Sequence, residues 1–411
     1  MKKTLWIVDG AFEALEGIRL AKEMGLHVVV SDLNPDAPGF ALADDRVMAS
    51  PGDVEGTMVA ALRYHRSVRS IDGILSVVAD VPVTVASVAL ELHLPGIPLQ
   101  AAQLGMNKFD MKLRLHSDKV SIPWFSEVEG LAHLARLVAE QEKALVIKPI
   151  DSRGSRGVLR LGRKVDLEWA YRIARAQSPS GRVMVEHYLD GPQISTQALV
   201  VNGVAHTVGL SDRNYEHLET YAPHFIENGG RLPSYLPEKN LFAIRELMQR
   251  AADSLKIENG VLKGDLVVHQ DRPCLIELAT RLSGGFFATH QIPLCNGIRP
   301  VEIAILLALG NPVPMELLQP RFQREVVRRL LLPRPGRIQS IAGVDRAKAI
   351  TGVAEVIVTV KPGDVIHPPH HSGSYAGTVM AVADTRKLAE ARCREAEGLI
   401  RIETEPVGDE G

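Results

Sequence analysis

The sequence predicts an open parallel α/β domain at the N-terminus, a mixed middle region built around one β-hairpin, and a small α+β domain at the C-terminus. Three observations carry this. Residues 4–92 alternate short apolar runs with runs of helical period. Residues 263–287, KGDLVVHQDRPCLIELATRLSGGFF, place two apolar runs around a polar corner and end in glycines. Residues 353–400 read strand, strand, helix.

Composition sets the outer bounds. The chain has 411 residues, enough for two to four domains, with 45% hydrophobic and 23% charged residues. Its net charge of -2 shows no footprint for nucleic acid. No apolar run reaches the roughly 18 residues of a membrane span, and Asp9 interrupts the signal-like start MKKTLWIVDGAF. Cys274, Cys295 and Cys393 are odd in number and widely spaced, which argues against a disulfide framework and for a reducing cytoplasm. The expected partners are small molecules, with neither nucleic acid nor membrane.

Taken in order, TLWIVD is a strand, residues 13–24 a helix closed by Gly25, and HVVVSD a second strand. A helix over 54–66, a strand at GILSVV and a helix over 81–92 continue the pattern. Ligands of such sheets sit at the carboxyl ends of the strands, where Asp9, Asp32 and Asp80 fall. The first turn, DGAFEA, lacks GxGxxG and so disfavours a dinucleotide. Prolines and glycine cluster at 95–108, and a domain boundary is placed there. Helices over 108–117 and 129–141 follow, then the strand ALVIKP.

VIKPIDSRGSRGV ends a strand at Lys148 and opens a loop with Ser152, Gly154, Ser155 and Gly157. Successive N–H groups in such a loop can cradle phosphate, with Lys148 adding a charge; the plainer reading is a hairpin loop with a solvated lysine. In VMVEHYLDGPQIS a strand ends near Glu186 and turns at Asp190-Gly191-Pro192. Glu186 and the backbone of Tyr188 and Leu189 suit an adenine edge, and Gln193 a ribose; an ordinary polar turn is the alternative. The stretch 211–237 is long for an inert connection, and Glu227 and Arg231 are its candidate substrate contacts. Helices are expected over 238–255 and 299–309, a strand over 324–332 and a helix over 385–400. His367, His370 and His371 have no neighbouring carboxylate or cysteine to fix a metal, and read as a solvated loop.

The hairpin carries the chemistry. With Gln270-Asp271-Arg272 as its loop, Asp265 faces Glu277. Alternation then points Leu275, Glu277, Ala279 and Arg281 one way and Cys274, Ile276 and Leu278 the other. Two facing acids repel unless a cation joins them, and a hard divalent ion suits them. Arg281 would reach an anion held by that ion. Scattered charges on a surface hairpin are the bland alternative.

Together and in this order, these segments resemble the ATP-grasp superfamily: biotin carboxylase, D-alanine–D-alanine ligase, the purine-biosynthesis carboxylate ligases and, most of all, the bacterial L-amino-acid ligases. The resemblance spans nearly the whole chain and implies a pre-ATP-grasp domain over 1–104, an ATP-grasp domain over 105–320 with a lid at about 118–187, and a closing domain over 321–411. It implies ATP with Mg²⁺, or Mn²⁺ in its place, and a homodimer. Asn107-Lys108 is similar to the first nucleotide lysine, so Lys108 and Lys148 are expected on phosphates, with Ser152, Gly154, Ser155 and Gly157 around them. Glu186 and Leu189 are expected at adenine and Gln193 at ribose. Asp265 and Glu277 are expected on the metal, and Lys148 and Arg281 in catalysis. Substrate is expected at Glu227, Arg281, Ser283 and Gly284. Three positions depart from the family pattern: Ala279 stands for an Asn, Asp265 for a Glu, and Gly230 for a His. The implied activity joins a small carboxylic or amino acid to an amine, with ADP as product. A purine-pathway type ligase and an ATP-binding protein without turnover are the alternatives.

Overall fold

The computed structural model describes residues 2–407 and divides into two units, each assembled from three stretches of chain. The first unit comprises Met1–Ile122, Ser195–Leu210 and Leu236–Phe322. The second comprises Pro123–Ile194, Ser211–Tyr235 and Gln323–Gly411.

The first unit opens with a four-stranded parallel sheet in the order Asp45–Met48, His27–Asp32, Thr4–Val8, Gly73–Leu75. Thr4–Val8 is buried along its whole length, as a strand covered on both faces must be. Trp6 is fully buried, and its indole N–H donates to Ser31 Oγ at 2.8 Å, so the core carries no orphan donor there. Helices Leu15–Glu23, Val54–Ser67 and Pro82–Glu91 lie where the apolar period places them. Asp53 caps the second by accepting from Gly56 N–H.

The region 95–108 differs from expectation. It contains a helix, Leu99–Met106, that begins directly after Pro98. Proline is tolerated at a helix start, where its missing N–H has no partner to lose. Asn107 then accepts from Phe109 N–H and Asp110 N–H and starts the helix Lys108–Ser117. A short helical segment, Phe287–Gln291 followed by Ile292–Asn296, was also not foreseen.

The hairpin pairs Gly260–His269 with Arg272–Ala279. Its turn is shorter than expected: Gln270 and Asp271 alone close it, with φ of 47° and 61°. Those left-handed values match the twist of a two-residue hairpin. A bulge between Asp265 and Leu266 shifts the register by one, so Asp265 still faces Glu277. The extra residue, Ile276, corrects the expected faces. Leu275 and Leu278 are both buried, while Cys274, Ile276 and Glu277 are half-exposed, so Leu275 belongs to the oily side. Gly264 lies under the helix Glu238–Ser254, where an added Cβ would stand 2.6 Å from Met248 Sδ; only glycine allows that approach.

In the second unit a four-stranded antiparallel sheet runs Phe125–Val128, Val183–His187, Leu145–Pro149, Leu159–Leu161. Its core joins Leu145, Ile147, Val183 and Val185 to Leu134, Leu137, Ala170 and Ala174 of the helices Leu131–Glu140 and Leu167–Ala176. Further on, Gly230–Leu232, Glu325–Leu331, Gly377–Ala383 and Val353–Val358 form a second antiparallel array. The helix Arg386–Leu399, capped by Thr385, contributes Ala389, Cys393 and Ala396 to the core over that array. A three-stranded sheet of Val365–Ile366, Gly336–Ala342 and Arg401–Glu405 completes the unit. No helix among the described residues is long and apolar enough to cross a membrane.

Candidate active site

In the first unit the two hairpin acids are not a bare repelling pair. Lys263 Nζ lies 2.5 Å from Asp265 Oδ2, and Lys108 Nζ lies 3.0 Å from Glu277 Oε1. Lys108 is the first residue of its helix, and Asn107 fixes its direction. Ser195 donates to Asp265 Oδ1 at 2.9 Å. Lys263 stands directly across from Ala279, so the position that departs from the family pattern faces an ammonium. The residues fit a hard cation. Two carboxylates oppose each other on adjacent strands, half-exposed, and each is balanced by a lysine ammonium whose place a cation can take.

Arg281 follows two residues after Ala279. Its Nε donates to Asp80 Oδ1 at 2.9 Å and its Nη1 to the Leu282 carbonyl at 3.0 Å. Burial disfavours its charge, but Asp80, then Glu277 and Asp265, hold the guanidinium protonated beyond its ordinary range. Arg281 is thus coupled to both hairpin acids. Ser283 is buried, and its N–H donates to Gln197 Oε1 at 2.7 Å while its Oγ has no partner among the described residues. Beyond Gly284, the N–H groups of Gly285 and Phe286 both point at the Glu13 carboxylate. Both residues have positive φ, 66° and 61°, which turns successive N–H groups to one side. Asp9, at the end of the first strand, has φ of 85° and a carboxyl pushed up to about 6 by burial, opposed by the Ala11 N–H and reinforced by Asp32.

Sequence reasoning did not bring Glu13, Asp80 or Ser195 to this site. Asp80 had one signal, its place at the carboxyl end of a strand. Glu13 and Ser195 had none, because their partners lie in remote segments.

In the second unit Lys148 and Glu186 are a buried pair, with side chains 3% and 4% exposed and 2.5 Å between Nζ and Oε1. They sit diagonally across adjacent strands, since Val146 faces Glu186 and Lys148 faces Met184. The loop after Lys148 holds Gly154, Ser155 and Gly157 at φ of 65°, 59° and 71°. Their N–H groups donate to no described residue, which leaves three donors for an anion. Gly157 has a packing reason as well: a Cβ would meet Gln177 Cβ at 2.9 Å and Pro149 Cγ at 3.0 Å. Ser152 lies in the same loop. Tyr188 N–H already donates to the Ala144 carbonyl at 2.8 Å, so it is spent on the fold. Leu189 is buried just beyond, and Gln193 is half-buried at the start of its strand.

Glu227 uses one oxygen, Oε2, to accept both Nε and Nη2 of Arg213. Arg231, expected beside it, instead pairs with Glu390 at 2.7 Å, on the side of the C-terminal helix. The His370 and His371 rings meet edge to face with centroids 4.8 Å apart, and His224 lies 6.2 Å from His370 in the same manner. Among the described residues no cluster of three or more His, Cys, Asp and Glu side chains is arranged to hold a metal.

Comparison with known proteins identifies two domains of the chain and its fold. Residues 106–285 match the ATP-grasp domain, and residues 328–405 match the L-amino acid ligase C-terminal domain 2. The uncharacterized protein y4rH of Sinorhizobium fredii is 24% identical over 100% of this chain and 84% of its own. A formate-dependent phosphoribosylglycinamide formyltransferase of Paraburkholderia xenovorans is 26% identical over 45% of this chain and 46% of its own. An L-amino acid ligase from Bacillus licheniformis superposes with a TM-score of 0.82 at 22% identity, covering 98% of this chain and 99% of that one. A phosphoribosylglycinamide synthetase from Anaerococcus prevotii superposes at 0.76, with 16% identity, over 98% of this chain and 100% of that one. The chain thus carries an ATP-grasp domain over residues 106–285 and an L-amino acid ligase C-terminal domain 2 over residues 328–405.

Proposed function

We propose that the chain activates a small carboxylic or amino acid with ATP, as an acyl phosphate, and joins it to an amine; the C-terminal domain match supports another amino acid as that amine. The observation that carries the reading is the facing pair Asp265 and Glu277, coupled to Arg281 on the strand's continuation.

Each group has a task in phosphoryl transfer, which needs positioning and charge neutralisation more than covalent help. Asp265 and Glu277 would hold Mg²⁺, which neutralises phosphate charge when bound. Lys148 and the free N–H groups of Gly154, Ser155 and Gly157 would bind phosphate oxygens, with Ser152 beside them. Glu186, Leu189 and Gln193 would receive the adenosine. Lys108, released from Glu277, would turn to phosphate. Arg281 would steady the transferred phosphoryl group and the acyl oxygen, and Ser283 and Gly284 would face the acid. Glu227 has an oxygen free to accept an ammonium hydrogen. The acid's carboxylate attacks the γ-phosphorus and ADP leaves. The amine's lone pair then attacks the acyl carbon, phosphate departs with the C–O bonding pair, and the amine loses a proton.

Hydroxylamine tests this. With ATP, Mg²⁺ and a panel of single acids it should intercept the acyl phosphate and form a hydroxamate of the correct acid alone. ADP release at the same rate with no acid present would point to a simple ATPase instead.

A further inference from the structure

Within the second unit, the loop that follows Lys148 touches a loop of the C-terminal stretch. Ser372 N–H donates to the Gly154 carbonyl at 3.1 Å, and a Cβ on Gly154 would lie 3.6 Å from Ser372 Oγ. Residues 367–371 read in sequence as a solvated loop, and His367 and His370 are exposed, but His371 is half-buried.

His371 holds Ser372 in place. Gly373 N–H donates to His371 Nδ1 at 3.0 Å, and Ser374 N–H donates to the His371 carbonyl at 3.0 Å. A ring nitrogen that accepts carries no hydrogen, so the imidazole is neutral and protonated on Nε2. Burial, then Arg156, His370 and His224, push its pKa down to about 4, which keeps that lone pair available near neutral pH. His370 packs edge to face on His371, and His224 on His370. The base of the turn is tied to the core. Ala376 is fully buried, and its N–H donates to the Leu331 carbonyl at 2.9 Å.

The peptide between Gly154 and Ser155 is trans, so its C=O and N–H point in opposite directions. Fixing that carbonyl on Ser372 therefore turns the Ser155 N–H away from Ser372, where it donates to no described residue. Ser155 has φ of 59°, a left-handed conformation that a residue with a Cβ adopts only at a cost. The clasp holds the loop in that conformation before an anion arrives. A donor ordered in advance binds more tightly than one that must be ordered on binding.

Resting on the phosphate-loop role in the ligase reading above, we propose that His371 is a positioning residue of that loop: through Ser372 it clasps the Gly154 carbonyl and so aims the Ser155 N–H at a nucleotide phosphate. A residue of the matched C-terminal domain, residues 328–405, thus tunes nucleotide affinity without touching the nucleotide.

Two variants separate the acceptor from the ring. His371→Asn carries its Oδ1 on Cγ, as histidine carries Nδ1, and can accept from Gly373 as in an Asx turn. His371→Phe keeps a ring against His370 and has no acceptor. Calorimetric titration with MgADP should show about five- to tenfold weaker binding in the Phe variant, the scale of one lost hydrogen bond, and binding within about twofold of wild type in the Asn variant. Amide hydrogen exchange should quicken over residues 152–158 in the Phe variant and not in the Asn variant. Unchanged affinity in the Phe variant, unchanged exchange over that loop, or equal weakening in both variants would each overturn the proposal. If the Phe variant does not fold, Ser372→Pro, which removes the donating N–H itself, takes its place with the same two readouts. If wild type binds no MgADP, the ligase reading fails first. Exchange then decides the clasp alone: quickening over 152–158 in the Phe variant only supports it, and no difference between the variants overturns it.

Discussion

Replacing Lys148 by methionine separates its observed ion pair with Glu186 from the phosphate contact proposed for it. Lys148 and Glu186 are 3% and 4% exposed, on the face of their sheet opposite Leu145, Ile147, Val183 and Val185. Removing one partner of a buried ion pair costs about 3–5 kcal/mol, because the remaining charge loses its closest counter-charge. Replacing both partners by apolar residues of similar volume is close to neutral. Lys148→Met should therefore lower stability by about 3–5 kcal/mol, and Lys148→Met with Glu186→Leu should recover most of it. Nucleotide affinity should be lost in both, since methionine cannot hold phosphate. Urea titration followed by fluorescence reads the first quantity; Trp124 and Trp169 lie in the same unit. Calorimetric titration with MgADP reads the second. A single variant as stable as wild type would refute the buried-pair argument. A stable double variant that binds nucleotide normally would remove Lys148 from the phosphate site.

Three further outcomes follow from the same geometry. Glu277→Gln should cut turnover at least about a hundredfold, the scale of losing one strong electrostatic stabiliser, and unchanged turnover would show that Glu277 serves only Lys108. Lys263→Met should lower the Mg²⁺ concentration needed for half-maximal activity, because it removes an ammonium that competes for Asp265; an unmoved Mg²⁺ curve would mean that Asp265 does not face the metal. Asp9 titrates at about 6 against an ordinary 3.8, so the folded chain holds its proton more tightly than the unfolded chain. The stability this gives is complete below pH 3.8 and is lost as pH rises through 6. Asp9→Asn, which tolerates the positive φ, should gain on wild type between those values by on the order of 2 kcal/mol in thermal melts across pH, and a constant difference would contradict the assignment.

The hairpin illustrates what could be read from sequence. Alternation and the polar corner place Asp265 opposite Glu277, and the register agrees. It agrees through two compensating features: a turn one residue shorter than expected and a bulge at Ile276. Nothing in the residues marks that bulge, because Ile276 suits either face of a strand. The helix Leu99–Met106 was hidden by the prolines and glycine before it, which start the helix as well as breaking the chain. Gly336–Ala342 and Arg401–Glu405 are half-exposed strands whose partners are remote in sequence, so no local apolar run announces them. The same holds for the site. In the first unit Lys108, Glu277 and Arg281 stand in short motifs, as Lys148 does in the second, whereas Glu13, Asp80 and Ser195 join the first unit's group only through tertiary folding.

The central claim is that the acid attacks the γ-phosphorus. An acid that supports turnover, labelled with ¹⁸O in its carboxylate, tests it most directly. Acyl-phosphate chemistry transfers one labelled oxygen to inorganic phosphate with ADP as the nucleotide product, visible by phosphorus NMR. Label appearing in AMP, or amide formed with unlabelled phosphate, would contradict the account.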